Sequence, residues 1–127
     1  MTNKRNKKEI VKIKKEWKNI LFNTVFAVLT LFFVIVFNKN IILTTILLSI
    51  IAIIALYIWK SKITLIIFII GAVSGTLAEM IAINYNVWSY SFTNFINIPI
   101  WLFVVWGNAS SFIYQTALEI KKLGITK

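Results

Sequence analysis

Glu79 is the residue in this chain best placed to do chemistry. It is the one acidic residue inside an apolar segment of membrane length. A carboxylate in that setting is costly enough to face protein or water rather than lipid. Asn84, Trp88, Tyr90, Trp101 and Trp106 follow it in sequence and can all hydrogen-bond a carboxyl. No lysine or arginine falls at the same depth, so its partners are expected from that neutral set. A lone carboxylic acid can carry a proton, protonate an alkene or tie two helices together. Acid–base catalysis usually enlists a second group, and none is in view, so Glu79 stands as a candidate catalytic acid without a visible partner.

The rest of the inventory narrows the chemistry further. Cysteine and histidine are both absent. That excludes disulfides and thiol redox switching, metal sites built on imidazole or thiolate, and every Ser-His or Cys-His nucleophile. Neither a metal nor a cofactor is expected. The formal charge of +10 would suggest nucleic acid if the lysines covered a soluble surface. Eight of the fourteen basic residues instead fall before Asn19 with Trp17 the one aromatic among them, too few to stack successive bases. A nucleic-acid partner is not expected.

Around Glu79 the spacing is suggestive. Gly71, Gly75 and Glu79 lie at i, i+4 and i+8, with Ser74, Ala78 and Ala82 on the adjoining stripe. Small residues so spaced let a second helix approach closely, within the chain or between copies. Gly107 precedes Asn108, which shares a helix face with Ser111 and Gln115 at i, i+3 and i+7. Such polar groups either bond across helices or line a cavity. Trp88, Tyr90, Phe92, Phe95 and Trp101 cluster near one membrane boundary. They form either an aromatic belt or an aromatic-lined pocket above Glu79. The candidate ligand-binding set is therefore Glu79, Trp88, Tyr90, Trp101, Trp106 and Asn108, with Gly71, Gly75 and Gly107 as packing positions.

Ala78-Glu79 in a glycine-containing helix, Tyr90 in an aromatic loop, Ile98-Pro99 and then Trp106 form a partial pattern. Over residues 71–115 it resembles part of the carotenoid-biosynthesis membrane proteins of the hydratase and cyclase type. The chain departs from that pattern in its shorter outer loop and its much shorter length. The resemblance implies a carboxylic acid that protonates or hydrates a polyene double bond, with Glu79 as the proton donor.

The elements that position these residues follow from hydropathy. At 59% hydrophobic residues the chain is more apolar than soluble domains, where about 45–50% is usual. Its length makes it one domain. Four spans are expected, at about residues 20–37, 41–59, 63–83 and 99–118, the last opened by Pro99 as a good first helical position. The first apolar run exceeds the short core of a signal peptide and ends in Asn38-Lys39-Asn40, so it is expected to remain as a span. The basic tail, residues 1–18, places Ile10, Ile13 and Trp17 on one face and reads as an amphipathic helix in the cytoplasmic interface.

With the N-terminus inside, eight basic residues of the tail, two at 60–62 and three at the C-terminus are cytoplasmic, against Lys39 alone outside. This is the positive-inside pattern. The short connections 38–40 and 60–62 predict antiparallel neighbours among the first three helices. Loop 84–98 is longer and uncharged.

The reading is thus an all-α integral membrane protein of the cell membrane. Four transmembrane helices form an antiparallel bundle with both termini cytoplasmic, preceded by a basic amphipathic helix. The bilayer is its first partner, and a homo-oligomer or larger membrane complex is left open. The favoured function is binding of a lipid, an isoprenoid or a membrane partner through a Glu79-centred aromatic pocket. A proton-coupled small transporter using Glu79 and an isoprenoid- or carotenoid-modifying enzyme with Glu79 as acid are the alternatives. An enzyme is the less favoured class.

Overall fold

No proline or glycine occurs before Gly71, so nothing in the first half of the chain breaks a helix except its polar turns. The computed structural model describes residues 2–124 and contains four helices: α1 (Thr2–Phe37), α2 (Ile41–Trp59), α3 (Lys62–Asn84) and α4 (Trp101–Lys122). Met1 in the basic tail and Lys127 among the C-terminal charges lie outside the described residues.

The turns carry their own punctuation. Asn40 caps α2 by accepting from Leu43 N at 3.1 Å, and Ser61 caps α3 by accepting from Thr64 N at 3.1 Å. Thr44 ties the first turn of α2 to the end of α1, its hydroxyl donating to the Phe37 carbonyl at 2.5 Å. Lys60 adopts the left-handed conformation that ends α2.

Two boundaries differ from expectation. The basic tail is not a separate interfacial helix: it runs unbroken into the first apolar segment as the 36 residues of α1, roughly 54 Å at 1.5 Å per residue. Lysine and glutamate are good helix formers, so the change from charged to apolar marks a change of surroundings and not an end of helix. At the other boundary, α4 begins at Trp101 rather than Pro99. The Pro99 carbonyl accepts from Leu102 N at 3.1 Å, so Pro99 heads a tighter first turn.

The helices are not arranged as a ring of sequential neighbours. α4 packs against α1, α2 and α3, while α1 and α3 do not touch and α2 meets α3 only sparsely. The expected α2–α3 pairing therefore gives way to a bundle centred on the last helix. Its composition explains the placement: Asn108, Ser111, Gln115 and Glu119 form one polar stripe and all are buried. Partners for that stripe come from the other helices. Asn108 Nδ2 donates to Thr30 Oγ1 at 3.1 Å and Gln115 Nε2 to Thr64 Oγ1 at 2.6 Å.

Outward the pattern inverts, with large aliphatic side chains of α1, α2 and α3 exposed along their lengths. These three helices are long and apolar enough to cross a membrane. α4 is of similar length, but its polar stripe lowers its hydropathy.

Residues 85–100 contain no helix among the described positions. The segment turns at Asn86 (φ 60°) and again at Ile96 and Asn97 (φ 40° and 63°). In the second turn Phe95 and Ile98 exchange backbone hydrogen bonds at 3.0 and 2.8 Å, the pattern of a tight two-residue hairpin. Asn94 Oδ1 accepts from Ile100 N at 2.9 Å. Ile98 and Pro99 are buried and plug the loop onto the bundle.

Candidate functional site

Glu79 lies near the end of α3, where both of its carboxyl oxygens are taken. The Tyr90 hydroxyl, from the 85–100 loop, donates to Oε1 at 2.5 Å. The Trp106 indole N–H, from α4, donates to Oε2. One carboxyl thus joins three segments: helix, loop and central helix.

Glycine makes this junction reachable. A Cβ at Gly75, one turn before Glu79, would fall on the Trp106 indole. Its absence lets the ring lie against α3 and present its N–H to the carboxyl. Gly71 leaves room for the Ser110 side chain, and Gly107 for the Phe68 ring. All three glycines sit in the α3–α4 interface, so the small-residue seam is used within the chain.

Trp101 is buried and meets the Tyr90 ring edge-on, with centroids 5.9 Å apart and planes at 89°. This contact fixes the ring that delivers the hydroxyl to Glu79. Burial pushes the Tyr90 hydroxyl well above the usual tyrosine range, and the hydrogen bond to Glu79 and its charge push in the same direction. Tyr90 therefore stays a donor. Among the described residues no cation pairs with Glu79, and the single ion pair joins Lys122 to Glu119 at 3.4 Å.

Of the expected set, Glu79, Tyr90, Trp101 and Trp106 come together. Two members stand apart. Trp88 is half-exposed on the loop and makes no hydrogen bond to Glu79. Asn108 is buried deeper in the bundle against Thr30 and serves helix packing there. Asn84, named as a partner from sequence, is exposed.

Tyr90 also lines two open clefts. The larger, about 450 Å³, is bounded by Ile83, Asn86, Trp88, Ser89, Thr93 and Asn97. The smaller, about 290 Å³, is lined by Tyr90, Trp101 and Phe92, by Val34 of α1 and by Asn38 in the turn after it. A third hollow, about 570 Å³, shares Ile83 and Asn97 with the first and continues down α3 past Met80, Ile81 and Leu77. A polar cup thus opens onto an apolar flank. Glu79 accepts one hydrogen bond on each oxygen, from two different segments. In the arrangement observed it holds the wall of the cup.

A second polar cluster, at the opposite end of the bundle, was not visible in the sequence. Trp59 Nε1 donates to Asn23 Oδ1 at 3.0 Å, and Asn23 Nδ2 to Thr116 Oγ1 at 3.4 Å. Farther out, Asn19 Nδ2 donates to Glu119 Oε1 at 3.2 Å beside the buried Glu16. One signal was present: Glu119 continues the stripe of Asn108, Ser111 and Gln115 by a further four residues. The expected fourth span, 99–118, stops one residue short of it. Compared with known proteins, the chain matches no protein-family model, no curated protein and no solved structure.

Proposed function

We propose that this chain is a four-span membrane protein of the cell membrane, with both termini cytoplasmic, that binds an amphipathic lipid or isoprenoid at its outer face. The head group would occupy the cup of Asn86, Trp88, Ser89, Tyr90, Thr93 and Asn97. The hydrocarbon would run along Ile83, Met80 and Leu77. The observation that carries this reading is the continuity of a hydrogen-bonding cup with an apolar flank, its wall pinned by Tyr90 on Glu79. Ligand sites commonly combine apolar lining with a few placed polar groups.

The cup is lined by amides, hydroxyls and one indole, with no charged side chain. It therefore suits a neutral, hydroxyl-bearing head better than an anionic one. The test uses the full chain in nanodiscs with two photo-activatable probes, an isoprenoid alcohol and an anionic phospholipid. The alcohol is expected to label residues 83–97 preferentially, and Trp88→Ala to reduce that labelling several-fold. Uniform labelling along all lipid-facing helices by both probes would overturn the reading.

A further inference from the structure

The cytoplasmic-end cluster has a feature independent of the outer cup. Glu16 on α1 and Glu119 on α4 are each only 5% exposed, and Asn19, one turn after Glu16, donates to Glu119 Oε1 at 3.2 Å, which brings both side chains to the same α1–α4 contact. Each also keeps an Oε2 that is buried without a partner. Two ionised carboxylates could not satisfy these oxygens mutually, because both would be acceptors only. Buried like charges also repel. A single proton between them supplies the missing donor and removes one charge.

The surroundings are specific. From α1, Asn19 donates to Glu119 Oε1 at 3.2 Å, while Lys12 and Lys15, four and one residues before Glu16, are exposed. From α4, Lys122 Nζ reaches Glu119 Oε1 at 3.4 Å from a side chain that is 52% exposed. From α2 the Trp59 indole donates to Asn23. Lys60 and Lys62, at the adjoining ends of α2 and α3, are exposed and form no ion pair with either carboxyl. No cation therefore neutralises the pair fully.

We propose that Glu16 and Glu119 act as a proton-operated latch, which fastens the basic segment of α1 to the end of α4 when one proton is shared and releases it when that proton is lost. Burial, and then the hydrogen bond from Glu16, hold the Glu119 carboxyl above its usual value of 4.5, while Lys122 pulls the other way. A carboxyl raised in the folded state stabilises fully below its unfolded value and loses that contribution as pH rises through the raised one. The latch is closed on the acid side and opens toward alkaline pH. Two carboxylates then face each other with no donor between them, and residues 3–15 ahead of Glu16 are all exposed.

The chain has no cysteine, so spin labels can be placed at Ile13→Cys and Ile120→Cys, both exposed, in the full chain in nanodiscs. The distance distribution is expected to be narrow at acid pH and to broaden as pH rises. Adding Glu119→Gln, whose amide donates without titrating, is expected to keep it narrow throughout. In the unlabelled protein, the infrared carbonyl band of a protonated carboxyl should weaken in both Glu16→Gln and Glu119→Gln. A wild-type distance that does not change with pH would overturn the latch, and so would a carbonyl band left intact in both variants.

Discussion

At the scale of single residues, the outer site depends on how Tyr90 is held. Its hydroxyl donates to a carboxyl, and hydrogen bonds to charged groups contribute about 1.5–3 kcal/mol. Tyr90→Phe is expected to lower stability by that order, read as a fall in thermal unfolding temperature in detergent micelles. An unchanged midpoint would mean that the Trp101 contact alone positions the ring. The ionisation of Tyr90 gives a separate check. Because its folded value is raised, its contribution persists below the ordinary value of 10.0 and is lost only as pH climbs through the raised one. Ultraviolet titration should therefore show a tyrosine ionising late. Glu79→Gln should bring it earlier without restoring ordinary behaviour, since burial is the leading cause.

Tyr90 and Trp106 were legible as Glu79 partners because all three lie within one short stretch around a single costly charge. Glu16 and Glu119 were not. They are far apart in sequence and each is flanked by lysine, so nothing local distinguishes a buried carboxyl from a solvated one.

Between elements, the α3–α4 seam decides whether the outer site exists. Gly75→Ala would drive its methyl into the Trp106 indole, and Gly71→Ala into Ser110. Overpacking of this kind typically costs about 1–3 kcal/mol. The two variants should nevertheless differ in kind: Gly75→Ala displaces the indole from Glu79, whereas Gly71→Ala leaves that hydrogen bond in place. Tryptophan emission is expected to shift in the first and to change little in the second. Equal shifts would mean that the seam moves as one body.

The seam itself was readable from small residues at helical spacing. The central position of α4 was not, because hydropathy ranks segments by their affinity for lipid and is silent on which helix will be surrounded. The unbroken α1 was missed for a related reason: a charge boundary was taken as a structural one.

On the scale of the whole molecule, the arrangement is apolar outside and polar within, and its orientation can be tested directly. Single cysteines at Ser91 and Lys121, added to the cysteine-free chain, would report which side each occupies. A membrane-impermeant maleimide on intact cells is expected to reach Ser91→Cys and to miss Lys121→Cys until the cells are opened. Labelling of both from outside would mean that α4 does not cross.

The position of α4 also bears on how the molecule is made. A chain is synthesised from its N-terminus, so α1, α2 and α3 are complete before α4 exists. With α1 and α3 out of contact and α2 barely meeting α3, only the α1–α2 pair, tied by Trp59 to Asn23, can assemble before α4. Each of the three is apolar enough to settle in a bilayer alone, whereas the Asn108–Glu119 stripe needs Thr30, Thr64 and Asn19 already waiting. Closure must therefore wait until α4 has been made. A ribosome stalled before Trp101 would leave α3 loosely held beside the α1–α2 pair, open to quality-control proteases until α4 arrives.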